Sequence, residues 1–275
     1  MATESSSTAK GACVRQPSVE ARRFQIENLK IEIYLTRKEA GFAAAQAVAE
    51  ELENLCQKEM DVIGVIFATG ASQIETLRAL VKIPDLPWDR ICGFHMDEYV
   101  GIAKDHQASF RLYLRNELTQ HVRMRRFYDV DGNAPDPEKA CQDYADTLQA
   151  ANPQLCLLGI GENGHLAFND PGVADFNDPR DMKIVALDDE CKQQQVAENW
   201  FGSITEVPTQ AMTLTIPALL RVPKLIVSVP GLRKAKIVNR SLHEAISTAC
   251  PATILRKHPD ATVYLDEESA SELQK

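Results

Sequence analysis

The chain has 275 residues, 44% hydrophobic and 25% charged, and carries a net charge of −9. That balance suits a soluble globular protein and argues against nucleic acid or an anionic membrane as a partner. No apolar run approaches the roughly 20 residues needed to span a bilayer.

The seven cysteines (Cys13, Cys56, Cys92, Cys141, Cys156, Cys191 and Cys250) are odd in number and include no Cys-x-x-Cys. They read as reduced core residues of a cytoplasmic protein, with no disulfide framework and no metal site. Met1 to Pro17 is rich in Ser, Thr and Ala and lacks the apolar core of a signal peptide. Residues 1–24 are therefore expected to be a disordered tail, and residues 25–275 a single domain, since no linker-like composition interrupts them.

Lys30 to Leu35 alternates, with Ile31, Ile33 and Leu35 on one face, and predicts a half-buried strand at a sheet edge. Thr36 and Glu39 form a capping-box signature for a helix running to about Lys58. Val62 to Phe67 is apolar on both faces and suits a central parallel strand. Thr69, Gly70, Ala71 and Ser72 follow it, before a helix carrying Ile74, Leu77 and Leu80. Such a loop is either an anion site, where backbone N–H groups and the helix dipole hold a phosphate, or a plain turn with Ser72 as the N-cap. It is neither a Walker A sequence nor Gly-x-Gly-x-x-Gly, so no nucleotide is implied.

Ile91 to His95 predicts a third strand, ending in Met96-Asp97-Glu98-Tyr99. Consecutive side chains point apart, so one acid is expected in a ligand site and the other in a structural contact. Helices are expected near 108–118 and 136–150. Leu155 to Leu158 reads as a buried strand that breaks into Gly159, Gly161 and Gly164, with Asn163, His165 and Asp170 close by. Three glycines and three polar groups at a strand end point to a ligand crevice. Met182 to Leu187 resembles a strand, and 198–206 a loop in which Trp200 and Phe201 pack. Leu225 to Val229 is another buried strand, leading to Lys234 at a helix start. There its charge opposes the helix dipole, so it is either reconciled by a bound anion or simply solvated. Thr262 to Leu265 is the last strand, before a short terminal helix. Alternating strands and helices argue for an α/β fold with a mostly parallel, Rossmann-like sheet.

Phe67-Ala68-Thr69-Gly70-Ala71-Ser72, Met96-Asp97-Glu98-Tyr99-Val100-Gly101 and Gly159 to Pro171 together resemble the glucosamine-6-phosphate deaminase (isomerase) family. The similarity continues through Val207-Pro208, Arg233-Lys234-Ala235 and Pro251 to Pro259. Met-Asp-Glu-Tyr and Gly-His-x-Ala-Phe-Asn are specific to these enzymes; Thr-Gly-x-Ser is shared with 6-phosphogluconolactonases. The resemblance implies a three-layer α/β/α sandwich that converts an amino-sugar phosphate to fructose 6-phosphate and ammonia, without redox cofactor or catalytic metal. It implies that His165 opens the pyranose ring and that Asp97 moves the proton from C2 to C1. Thr69, Gly70, Ala71, Ser72 and Lys234 would hold the phosphate.

Many members of that family have Asp where this chain has Asn163, and Glu where it has Asp170; these acids hold the histidine. Asn163 brings no charge, whereas Asp170 keeps it on a side chain one methylene shorter and takes the role if its loop sits closer. The family's phosphate-binding arginine has no counterpart in Ala197-Glu198-Asn199-Trp200-Phe201. Of the basic cluster in allosteric members, only Arg180 and Lys183 remain, so no activation by N-acetylglucosamine 6-phosphate is expected. The alternatives are a 6-phosphogluconolactonase-like hydrolase and a non-catalytic sugar-phosphate sensor. The first is disfavoured by Leu166-Ala167-Phe168-Asn169, the second by retention of Asp97 with His165. Homo-oligomer formation stays open.

Overall fold

The computed structural model describes residues 20–58, 60–197 and 199–273. Of the expected tail, residues 1–19 lie outside the described residues, and Arg22 to Phe24 belong to a strand. That strand, β1 (Arg22–Ile26), turns at Glu27 and pairs antiparallel with β2 (Leu29–Tyr34). β2 is therefore not the edge strand its alternation suggested; β1 covers it on one side.

The remaining strands of the large sheet are β3 (Ile63–Phe67), β4 (Ile91–His95), β6 (Arg126–Tyr128), β7 (Leu155–Leu158), β10 (Lys224–Ser228) and β11 (Ala261–Asp266), all parallel to β2. The order is β1-β2-β11-β10-β7-β3-β4-β6. Residues of β7 alternate across the pleat, as strand geometry requires. Cys156 and Leu158 join the core on one face, while Leu155 and Leu157 join the core on the other. The first core is closed by α4 (Pro137–Ala151), α6 (Ile216–Leu220) and α7 (Ala235–His243). The second is closed by α1 (Arg37–Gln57), α2 (Ile74–Leu80) and α3 (Phe110–Leu114), which runs into a π-helical turn at Arg115–Thr119. This is the expected three-layer α/β/α sandwich. Cys92, Cys141, Cys156 and Cys250 are free and buried in it.

Two capping devices set where α1 and α4 begin. Thr36 Oγ1 accepts from the Glu39 N–H at 3.2 Å while Glu39 returns a bond to the Thr36 N–H at 3.0 Å, the expected capping box. Asp136 caps α4 through the Lys139 N–H. For α2 the N-cap is Gln73, with no side-chain capping bond, so Ser72 does not have the capping role open to it.

A second sheet was not legible. After β4 the chain passes through Met96 into β5 (Asp97–Tyr99), which pairs antiparallel with β9 (Gln210–Leu214), itself paired with β8 (Met182–Ala186). A third cluster, including Tyr99, Phe168 and Phe201, packs there. The segment before Trp200 forms a further helix, α5 (Asp189–Ala197), and Ile204–Glu206 a short 3-10 turn. After β11 the described residues form turns where a terminal helix was expected, with the Ser269 N–H bonded to Asp266. Among the described residues no helix is long and apolar enough to cross a membrane.

Candidate active site

Strand order fixes where a ligand can sit. From β3 the chain adds β4 and β6 outward in one direction; from β7 it adds β10 and β11 in the other. The order therefore reverses between β3 and β7, and the loops leaving their carboxyl ends diverge there to open a crevice. A cleft of about 380 Å³ occupies that position, with Thr69, Gly70, Ala71, Ser72, Asp97, His165 and Lys234 in its wall. Loops from β3, β4, β7 and β10 thus converge on one space. Gln73 ties two of them together, donating from Nε2 to the Leu158 carbonyl at 3.1 Å. Gly70 and Gly231 make the turns at φ +89° and +94°, where glycine is at ease and other residues are strained.

Asp97 is 6% exposed, and its Oδ1 has no hydrogen-bond partner among the described residues. Burial, and secondarily the Glu98 charge, hold its carboxyl well above the usual carboxylate range. Glu98 points the other way. It accepts from Ser109 Oγ at 2.7 Å and from the N–H groups of Tyr99, Phe110 and Arg111, which bind it at the start of α3. One acid faces the cleft and one is structural, as the alternation of side chains predicted. His95, two residues upstream, is fully buried and accepts the Val130 N–H; burial lowers its pKa to about 3, so it is a neutral packing residue.

His165 enters the cleft from a turn closed by hydrogen bonds from the Gly161 N–H to the His165 carbonyl and from the Gly164 N–H to the Gly161 carbonyl. Its ring lies directly over Gly161: a Cβ there would stand 2.2 Å from Cε1 and Nε2. Gly164, at φ +93°, is pressed against Cys250 Sγ in the same way. Asn163 and Asp170 do not line the cleft but stand behind the histidine. Asp170 Oδ1 is 2.8 Å from His165 Nδ1, within ion-pair range though off the line of a hydrogen bond. Asn163 Nδ2 donates to the same oxygen at 2.8 Å, and its Oδ1 accepts the His165 N–H at 3.0 Å. The loop does sit close enough for the shorter Asp170 to reach the ring.

Several lining residues escaped the sequence reading. Arg37 follows the capping Thr36; Gln195, on the unforeseen α5, accepts the Tyr99 hydroxyl proton at 2.7 Å; Arg233 pairs with Glu162 at 2.8 Å. Trp200, expected to pack, does so edge-on against Tyr113, yet it also lines the cleft. Phe201 is buried as expected. Arg37 and Arg233 each lie just beyond a predicted strand, and that placement was the usable signal. Among the described residues no group of three or more His, Cys, Asp or Glu is placed to hold a metal ion.

A buried carboxyl and a carboxylate-backed histidine at the switch point of an α/β sheet form a site of the acid–base class. Comparison with known proteins narrows this. The chain belongs to the family of glucosamine-6-phosphate isomerases and 6-phosphogluconolactonases, whose model matches residues 36–264. A glucosamine-6-phosphate deaminase of Bacillus thuringiensis (strain Al Hakam) is 34% identical over 234 residues, 85% of this chain and 84% of its own. The solved structure of a monomeric glucosamine-6-phosphate deaminase superposes with a TM-score of 0.81 at 30% identity, over 88% of this chain and 99% of that one. A 6-phosphogluconolactonase from Thermotoga maritima shares the fold, with a TM-score of 0.68 at 22% identity over 86% of this chain and 99% of its own.

Proposed function

We propose that this protein is an enzyme that isomerises and deaminates glucosamine 6-phosphate, giving fructose 6-phosphate and ammonia with consumption of one water. The observation that carries this reading is the convergence of Asp97, His165, the 69–72 loop and Lys234 on one cleft. The loop and Lys234 bind the phosphate, supplying remote binding energy that orients the sugar. His165 moves a proton to or from the ring oxygen, and Asp170, 2.8 Å from its Nδ1, orients the ring much as an acid does in hydrolytic triads. Asn163 fixes the pair from behind.

In the opened sugar, Asp97 removes the C2 proton and returns it to C1 while a proton from the nitrogen passes to O1, leaving a C2 imine that water hydrolyses to release ammonia. The raised proton affinity of Asp97 suits both halves of that transfer. A substrate ammonium at C2 offsets the burial cost of the carboxylate and yields the base; the acid it becomes is a ready donor at C1. We take residues 22–273 as one functional unit, since β1 belongs to the main sheet and the cleft is lined by residues from Arg37 to Glu268. The free buried cysteines agree with a cytoplasmic enzyme.

The test is incubation of purified protein with glucosamine 6-phosphate, measuring ammonia and fructose 6-phosphate together. Equal release of both supports the proposal. Tight binding without product overturns it in favour of a sensor, and hydrolysis of 6-phosphogluconolactone in place of deamination overturns it in favour of the hydrolase.

A further inference from the structure

A sugar phosphate dianion needs more than one cation, and the stretch expected to supply an arginine has none. Three cationic side chains line the cleft: Arg37, Arg233 and Lys234. Arg233 is 54% exposed and is engaged with Glu162. Arg37 is 45% exposed and also paired with a glutamate, but unlike Arg233 it is bonded to the 69–72 loop itself. Its Nη2 donates to the carbonyl of Ala71, inside the 69–72 loop, at 3.2 Å. Glu75, on the first turn of α2, takes Nε at 2.8 Å and Nη2 at 3.0 Å, gripping the guanidinium side-on. A guanidinium has five N–H donors in a rigid fork. Among the described residues no bond uses Nη1, so the end of the fork away from Glu75 keeps its donors for a ligand.

Its position in the chain carries the same message. Arg37 is the first residue of α1, and Lys234 is the N-cap of α7. Each places a positive charge at the helix end that disfavours it. Both residues line the same cleft, so an anion bound there faces both charges.

We propose that Arg37 is the arginine that binds the substrate phosphate, sharing its guanidinium between the anion and a competing Glu75; the identity of the sugar phosphate rests on the function proposed above. Phosphate recognition is thereby carried by the fixed body of the fold, at the junction of β2 and α1, and does not draw on residues 197–201.

Calorimetry with inorganic phosphate, paired with steady-state kinetics on glucosamine 6-phosphate, tests this. Arg37→Gln is expected to weaken phosphate binding about 10–100-fold, the worth of a lost charge-assisted hydrogen-bond pair. KM should rise by the same factor, with kcat within about threefold. Arg37→Lys should recover part of the loss. Glu75→Gln frees the guanidinium from a competing carboxylate and should bind phosphate as well as the wild type or better. Phosphate affinity of Arg37→Gln within about twofold of wild type overturns the proposal. So does an equal loss in Glu75→Gln, which would make the pair a brace for the loop. If wild type does not turn over glucosamine 6-phosphate yet Arg37→Gln still loses phosphate, the anion site stands and only the assigned reaction fails.

Discussion

Gly161→Ala is the smallest change that separates the placement of His165 from every other property of the cleft. The added Cβ would stand 2.2 Å from two atoms of the imidazole and 2.4 Å from a third. Ordinary contact begins near 3.4 Å, so the ring must retreat by about 1.2 Å. Backbone strain does not contribute, because the φ of Gly161 lies outside the left-handed range. The cleft that His165 lines offers the imidazole room to retreat, and a shift of that size is expected to disturb its 2.8 Å contact with Asp170. A displacement of about 1 Å at a reacting group costs on the order of 100-fold, so kcat for ammonia release should fall by about that factor, or about 2.7 kcal/mol. The phosphate loop is untouched, so KM should move little. Stability should suffer at the low end of overpacking, about 1 kcal/mol, since the ring has open space to enter. Ammonia-release kinetics and a thermal melt on the same preparation check both numbers. Activity of Gly161→Ala within about threefold of wild type would refute the placement of His165 as the ring-opening group.

Asp97→Asn should lower kcat by at least about 10³-fold, the upper part of what a positioned general base supplies. It should also melt higher than wild type at alkaline pH. Burial raises the folded-state pKa of Asp97 above its unfolded value, so the stability of the acid form is present at low pH and is lost as pH rises through the folded pKa. Asparagine removes that loss, and the difference between the two melting temperatures should close toward acid; a difference independent of pH would contradict the burial argument. Asn163→Asp replaces a donor to Asp170 Oδ1 by a second carboxylate oxygen at 2.8 Å. One of the two acids must then keep its proton, so the variant should lose about 1–3 kcal/mol as pH rises and little in mild acid, measured as melting temperature against pH. N-acetylglucosamine 6-phosphate should leave the rate curve unchanged. Lys183 is 4% exposed and is occupied by Asp178 and the Val173 carbonyl, and Arg180 leans on the same Asp178. A sigmoidal curve made hyperbolic by that ligand would sink this expectation.

The large sheet was legible because parallel strands buried on both faces leave continuous apolar runs, as in Ile63–Phe67 and Leu155–Leu158. The edge assignment of β2 failed for a definite reason. Its alternation holds through Ile33, with Lys30 exposed and Glu32 half-buried between buried neighbours, while Leu35, expected on the same face, lies past the strand at 71% exposure; alternation reports which face is solvated, not which strand lies alongside. The neighbour β1, Arg22-Arg23-Phe24-Gln25-Ile26, is largely exposed and reads as tail. The small sheet escaped because β5 has only three residues, and its partner β9 begins far along the chain at Gln210. Nothing local encodes that pairing.

That hidden sheet is also what surrounds Asp97. The Met-Asp-Glu-Tyr motif marked two acids, and side-chain alternation correctly sent them apart, but neither observation explains why the one in the cleft is dry. β4 ends at His95, and the chain is caught at once by β9, through the Leu214 N–H on the Met96 carbonyl and the pairing of Asp97 with Thr213. The second sheet therefore closes over the carboxyl end of the first at the residue where the chain crosses between them. Asp97 is buried by that closure, while Glu98, one residue on, turns into the N-terminus of α3 and finds four donors. Two neighbouring carboxyl groups thus end in opposite circumstances: one saturated with hydrogen bonds, the other facing the cleft with its Oδ1 unpartnered among the described residues. The sequence names both acids, but the difference between them is created by a long-range pairing, so the chemical choice follows from topology.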